Sequence, residues 1–456
     1  MKITLKFLLF LAPLFGFAQS NKLSKADKIY GLSKFWQEVN YNFVYLNKVD
    51  RPKWDSTYKA LITSIPETKN DFEYYKELQR FCALLKDGHT NVFMPNNKDF
   101  ELMNTMFGNY RFFLENIEGK AIIVRVNLSK KEEIPIGSEI VEVNGKPTAQ
   151  YIAENVAPYI SSSTDYVLKD GSINKLLQGR EGEHFAIKIK KPKGELVTLN
   201  LTHQMTTEKE TYPAFETETK LLDFKWYPND VAYLALNSFG DSKINELFLE
   251  KLPELYKAKS VIIDLRQNGG GSTSIGTNIL KYFTTDALLY GAKNATRQNT
   301  SAFKAWGYYT KATDTVGNDW NKKALLTYQD NYIYEFNYNP LRVDLNAKRI
   351  MVPVVILIGH NTASAAEDFL IHADNQKHMK KMGQNTFGST GQPYLFEMPG
   401  GGTARVCTKK DTYPDGREFV GYGIKPDIEV VPTLNDYLKN RDAVLINALS
   451  YLSKNK

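Results

Sequence analysis

The sequence predicts an α/β protein with three regions in chain order. A small helical N-terminal region occupies 22–100 and a β-rich module 105–205; after a linker over 206–228, an αβ core fills 229–440. Three observations predict this. Apolar residues recur at helical spacing up to about Leu85; beyond Gly88 they fall into short runs broken by Gly, Pro and Asn; and from Val231 strand-like and helix-like runs alternate. The 456 residues suffice for two or three domains with sizeable cores. With 42% hydrophobic and 24% charged residues, the composition excludes collagen-like and low-complexity classes.

The first residues read as a secretory signal over 1–18. Lys2 and Lys6 precede the apolar run Leu8 to Phe17, which ends at Ala18-Gln19 and is too short to span a bilayer. No Cys follows for lipid attachment and no later stretch reaches about 18 apolar residues, so a soluble, exported protein in the periplasm or outside the cell is expected, without stable membrane insertion. The helical region rests on Ile29, Leu32, Phe35, Trp36, Val39 and Phe43, then on Tyr58, Leu61, Ile62 and the run Tyr74 to Leu85. The β-rich module rests on Tyr110 to Leu114, Ala121 to Val126, Ser138 to Val143, and the pair Phe185 to Ile189 and Val197 to Leu201. Within it, Lys188, Lys190, Lys191 and Lys193 alternate as one solvated strand face.

In the core, strands are expected at Val231 to Leu236, Val261 to Leu265 and Val354 to Gly359, with helices near Ile244 to Tyr256, from about Ser274, and from Ala363 to Ala373. Such alternation argues for βαβ units and a mostly parallel sheet. The stretch 292–346, rich in Tyr, Trp, Asn and Lys, reads as an insertion covering the sheet edge or a cleft. Without residues 1–18 the charge of +7 loses two Lys and falls to +5, too small and dispersed to indicate nucleic acid. Cys82 and Cys407 could pair in an oxidising compartment but make no disulfide scaffold, and two unrelated buried thiols is the favoured reading. The six His show neither metal-ligand spacing nor an HExxH pattern, so no metal and no cofactor is expected.

Three constellations carry chemistry. The strand Val261 to Leu265 runs into Asn268-Gly269-Gly270-Gly271, whose backbone amides can cradle an anion or oxyanion; a tight strand-to-helix turn is the plain alternative. The strand Val354 to Gly359 runs into Thr362-Ala363-Ser364-Ala365, placing the Ser364 hydroxyl at the C-terminal end of a strand, beside a helix start whose amides, Ala365 among them, favour developing negative charge. An ordinary N-cap is the alternative there. In Asp87-Gly88-His89-Thr90, His89 is the candidate base that a serine nucleophile requires, a capping or solvated His being the other reading.

Taken together, Leu85-Lys86-Asp87-Gly88-His89-Thr90, Asp264-Leu265-Arg266 with Asn268-Gly269-Gly270-Gly271, Ala363-Ser364-Ala365-Ala366-Glu367, Gly383 to Gly388 and Gly423-Ile424-Lys425-Pro426-Asp427-Ile428 resemble the C-terminal processing (tail-specific) serine peptidases. The resemblance covers about the last 200 residues plus the His segment. It implies a crotonase-like (ClpP/crotonase) αβ core and a PDZ-like module that recognises substrate tails by strand addition, for which Ile136 to Gly145 is a match. It further implies a nucleophile at Ser364 and oxyanion donors at the amides of Ala365 and of Gly269 or Gly270.

The best-known branch of these peptidases has a base Lys about 25 residues after the Ser, where this sequence has Thr386-Phe387-Gly388-Ser389. The His in Asp-Gly-His-Thr resembles instead the tricorn-like branch, in which a His is the base and a late Glu completes a tetrad. Two positions depart from that pattern. Gly88 stands where a hydroxyl residue directly precedes the His, and Val420 stands where the late Glu belongs. Glu418 is the nearest acid, with Glu367 and Asp368 as substitutes; it reads equally as a solvated residue after the turn Pro414-Asp415-Gly416. The expectation is therefore an exported serine endopeptidase or C-terminal processing peptidase acting on a peptide or protein, with catalytic Ser364, His89 and Glu418. A non-catalytic protein holding a peptide or apolar ligand on the same scaffold, or an esterase, are the rival readings.

Overall fold

The computed structural model describes residues 22–215 and 220–454, so the expected signal over 1–18 lies outside the described residues. Three helices open the chain: α1 (Lys25–Asn42), α2 (Arg51–Ser64) and α3 (Asp71–Ala83). Each starts at a side chain that accepts one of the free amides of the first turn, Ser24, Asp50 and Asn70 in turn. Their apolar faces meet in a buried cluster of Leu32, Phe35, Val39, Trp54, Leu78 and Phe81. Trp54 stacks on Phe81 with ring centroids 3.8 Å apart, a contact worth about 0.5–1.5 kcal/mol beyond the area it buries.

The helical region does not end as an isolated bundle. Strand Asn91–Phe93 pairs antiparallel with Thr403–Cys407, which in turn pairs with Pro393–Glu397. Tyr75 adds a bolt from α3, its hydroxyl donating to Pro399 O at 2.6 Å and accepting from the Gly402 amide at 3.0 Å. Three residues are too few for a period, which is why this strand is not visible in the sequence. It fixes where the residues just before it, His89 included, must lie.

The β-rich module is an antiparallel sheet running from Met106–Phe107 through Tyr110–Ile117, Lys120–Asn127, Glu139–Val143 and His184–Lys190 to Leu196–Thr202. Helices α4 (Thr148–Asn155) and α5 (Asp165–Asn174) pack with it. Alternation sets the faces: Phe185, Ile187 and Ile189 are buried with Phe112, Ile123 and Ile140, while Lys188 points outward to Glu142 at 2.6 Å. Of the lysine run, Lys188 and Lys190 lie on this strand, whereas Lys191 and Lys193 follow it, Lys191 being paired with Glu195 at 3.1 Å.

The core is a six-stranded sheet in the order Leu222–Tyr227, Val231–Leu236, Ser260–Asp264, Val354–Ile358, Met379–Gly383, Ile428–Glu429. The first pair is antiparallel and the rest parallel. The two central strands are buried along their whole length, as their unbroken Val and Ile runs require of strands covered on both faces. Val261, Ile263, Val354, Ile356 and Ile358 face the cluster that holds α6 (Lys243–Leu255), α7 (Thr273–Leu280) and α10 (Ala365–Ala373). Ile262, Val355 and Leu357 face Val444, Ala448 and Leu452 of the C-terminal helix α12 (Ala443–Lys454), which follows the short α11 (Leu434–Leu438).

Two expectations are adjusted. The end of the expected linker, Leu222–Tyr227, is the edge strand of this sheet. Only Leu222 of this strand is buried, so its apolar pattern is weak. The insertion 292–346 contains a strand, Lys293–Arg297, paired with Ile333–Glu335 and with Lys409–Thr412, and helices α8 (Ser301–Tyr308) and α9 (Asp319–Tyr328), which pack on one another. Among the described residues no helix is long and apolar enough to cross a membrane. Cys82 and Cys407 are both buried and both free; the Cys82 thiol donates to Thr90 O, and the Thr90 hydroxyl accepts from the Cys407 amide.

Candidate active site

Strand Val354–Ile358 leaves the sheet at Gly359, and the chain turns through Ser364 into α10. Ser364 sits at φ 56° and ψ −122°, a region that L residues avoid and that costs on the order of 1–3 kcal/mol unless the surroundings impose it. Here they do. The Ala363 amide donates to Asn268 O at 3.0 Å, the Ser364 amide to Glu367 Oε2 at 3.1 Å, and the Thr362 hydroxyl to Leu265 O at 2.9 Å. A hydroxyl held on a sharp strand-to-helix turn is exposed to a reactant and locked in direction.

The glycine run lies against this turn. A Cβ at Gly270, whose φ is 101°, would stand 2.7 Å from Ser364 Cβ and 2.8 Å from Ala363 O, so only glycine allows the approach. Asn268 shapes the loop: its Nδ2 donates to Leu236 O at 2.8 Å and its Oδ1 accepts from the Gly270 amide at 2.9 Å. Of the two glycine amides considered as oxyanion donors, that of Gly270 is therefore occupied. Those of Gly269 and Ala365 make no hydrogen bond among the described residues.

His89 approaches the neighbourhood of this turn from the other end of the chain. Segment 386–389 is the hinge between the two. On one side the Glu367 carboxyl accepts from the Thr386 hydroxyl at 2.5 Å and from the Gly388 amide at 2.8 Å, and the Phe387 amide donates to Thr362 O at 2.9 Å. On the other side Ser389 Oγ lies 2.7 Å from His89 Nδ1. Gly88 makes this close packing possible, because a Cβ there would strike the Phe387 ring at 2.6 Å. Ser364 and His89 thus flank one four-residue segment, and no direct hydrogen bond joins their side chains among the described residues.

Residues 230–430 match the sequence model of peptidase family S41. The carboxyl-terminal-processing protease of Picosynechococcus sp. is 22% identical over 373 residues, covering 79% of this chain and 73% of its own. The region 230–430 is thus similar to the family S41 peptidases. The carboxy-terminal processing protease CtpA of Bacillus subtilis is similar at 20% identity over 426 residues, 91% of this chain and 71% of its own. Among solved structures, mature CPAF complexed with lactacystin superposes with a TM-score of 0.66 at 14% identity, covering 95% of this chain and 99% of that one. A peptidase structure from Parabacteroides merdae gives 0.52 at 18% identity, covering 94% and 97%. At these identities the structural likeness is one of fold.

The His89 imidazole is nearly buried, and burial, with Arg405 and Lys409 adding like charge, brings its pKa down to about 4. It is therefore neutral near pH 7 and able to take a proton. Burial also pushes the Glu367 carboxyl up to about 8, against the three donors that favour its charged form. Glu418 lies elsewhere: it is half-exposed, ion-paired with Lys410 and, at 3.6 Å, with Lys48, and the Lys410 contact holds its carboxyl below the ordinary range. Asp368 accepts from the Thr273 hydroxyl at 2.5 Å. None of the three acids considered for the late position bonds to His89 among the described residues.

Three residues at the site had no role in the sequence reading: Ser389, Asp87 and Asn268. Ser389 stands at the spacing where the best-known branch has its Lys, which is the one signal that could have singled it out. Asp87 stands inside the Asp-Gly-His-Thr motif and accepts from Thr90 within it, but its contacts with Ser163 and Ser389 come from positions distant in sequence. Among the described residues no group of three or more His, Cys, Asp or Glu is arranged to hold a metal ion.

Proposed function

We propose that the chain is an exported serine peptidase that cleaves peptide bonds through an acyl-enzyme, as an endopeptidase or at carboxyl ends. Ser364 attacks the scissile carbonyl while His89 takes its proton and later returns it to the leaving amine. The tetrahedral oxyanion is held by the free amides of Ala365 and Gly269 rather than Gly270. The observation that carries this reading is the strained Ser364 turn, held beside two unpaired amides and tied through segment 386–389 to a neutral, buried imidazole.

The 229–440 region acts as a crotonase-like core, and the 105–205 sheet as a PDZ-like module that presents a substrate strand. The relatives named as carboxyl-terminal-processing proteases support peptide tails as the substrate class. Export is supported by Lys2 and Lys6 ahead of the apolar run Leu8 to Phe17.

The test is cleavage of a labelled unfolded protein, with fluorophosphonate labelling in parallel. Wild type should cleave and label; Ser364→Ala should do neither, and His89→Ala should lose at least about a thousandfold in kcat with its circular dichroism unchanged. Cleavage at the wild-type rate by folded Ser364→Ala would reject the assignment.

A further inference from the structure

The imidazole has a partner that the expected acid does not supply. A base His works when its Nδ1–H is held, which fixes the tautomer, aims Nε2 at the nucleophile, and steadies the imidazolium that forms. We infer that Ser389 and Asp87 together perform this orienting role for His89, replacing the single late acid. This rests on the reading of His89 as the base.

Hydrogen-bond direction carries the argument. Asp87 is a buried carboxylate on which donors converge: the Thr90 hydroxyl at 2.6 Å on Oδ2, the Ser163 hydroxyl at 3.3 Å and the Ser389 hydroxyl at 3.4 Å on Oδ1, and the His89 amide. An ionised carboxylate only accepts. Burial raises the Asp87 pKa, but the donors converging on it favour its ionised form; with Asp87 ionised, Ser389 points its proton at Asp87 and leaves an oxygen lone pair toward His89 Nδ1 at 2.7 Å. Nδ1 therefore carries the proton and Nε2 is the free base. When Ser364 forms its bond to the scissile carbon, its proton passes to Nε2; the Nδ1–H stays on Ser389 Oγ, whose own proton stays on the Asp87 side. No proton leaves the site.

The arrangement also accounts for Gly88. The hydroxyl that the tricorn-like pattern has beside its His comes here from a distant segment, and the glycine clears the space for it. The charged and titratable groups around the pair are Arg405, whose Nη2 donates to Gly88 O at 3.4 Å, Lys409, paired with Asp411 at 3.1 Å, and the thiols of Cys82 and Cys407. Asp87 is thus a counter-charge to Arg405, as Asp411 is to Lys409, and to the imidazolium when His89 takes its proton.

The experiment uses the full purified chain and follows kcat, KM and the pH profile of kcat/KM. Ser389→Ala should lower kcat about tenfold to a hundredfold with KM little changed. Ser389→Thr should restore most of that loss, because it keeps a hydroxyl. Asp87→Asn should lower kcat at least as far and move the acid limb of the profile to lower pH, since the imidazolium loses its counter-charge. Asp87→Asn is interpreted only with a wild-type melting curve; without one, the Ser389 pair decides. If Ser389→Ala keeps kcat within threefold of wild type and an unshifted acid limb, while Ser364→Ala and His89→Ala are inactive, the orienting pair is refuted and the peptidase reading stands. If Ser364→Ala and His89→Ala are themselves active, the reading of the site falls and the pair with it.

Discussion

At His89, burial and two neighbouring cations decide the protonation state, and the sign of the pH dependence follows. With His89 as the proposed base, catalysis needs the neutral ring, so kcat/KM should fall as pH drops through about 4, well below the ordinary His value of about 6.5. A profile measured from pH 3 to 8 checks this, and an acid limb near 6.5 would contradict it. Stability moves in the same direction. The unfolded chain takes up the His proton more readily than the folded one, so this group's contribution, present above about pH 6.5, is lost as pH falls toward 4. Gly270 gives a second prediction at this scale. Gly270→Ala would drive its Cβ into Ser364 Cβ and Ala363 O at positive φ, at an expected cost of about 1–3 kcal/mol in denaturant melts and most of the activity. Ser364, His89 and the glycine run were legible in the sequence because each sits at a junction between apolar runs. The bond between Ser389 and His89 was not, because no local pattern reports that positions 300 apart share a hydrogen bond.

Segment 386–389 has little regular structure, yet it is where the elements of the site are joined. Thr386 does the most: its hydroxyl donates to buried Glu367 and accepts from the Ile424 amide at 2.7 Å, while its own amide donates to Ile424 O at 3.1 Å. Thr386→Val keeps the shape and removes the hydroxyl, stranding a buried amide and taking one donor from Glu367. The expected cost is about 1–3 kcal/mol in a denaturant melt, with a fall in kcat because the same segment aligns Ser389. An unchanged melt would show that the segment is held by backbone contacts alone. Element-level legibility followed burial. The central strands Ser260–Asp264 and Val354–Ile358 were visible as largely apolar runs, whereas the edge strand Leu222–Tyr227 was read as linker, since only Leu222 of its residues is buried.

Across the whole molecule, the β-rich module is docked directly on the catalytic segment rather than tethered at a distance. The Tyr166 hydroxyl of α5 lies 2.6 Å from Thr386 O and 3.1 Å from Tyr422 O, and its ring packs on His360 with centroids 4.5 Å apart. Asp170, one turn further along α5, lies 2.5 Å from His360 Nδ1, and Thr164 just before the helix bonds Phe387 O at 3.3 Å. Two side chains of α5 and the residue that precedes it thus contact both His360, four residues before Ser364, and the segment that carries Ser389. A shift of α5 would pass to both at once, whereas a flexible linkage would pass nothing. Tyr166→Phe separates these cases, because it keeps the packed ring and removes only the hydroxyl at the two carbonyls. If docking orders the segment, kcat should drop about threefold to tenfold at near-constant KM. Amide hydrogen exchange at residues 384–390 should quicken while exchange in the central strands stays as in wild type. Wild-type kcat together with unaltered exchange would show that α5 rests on the site without shaping it.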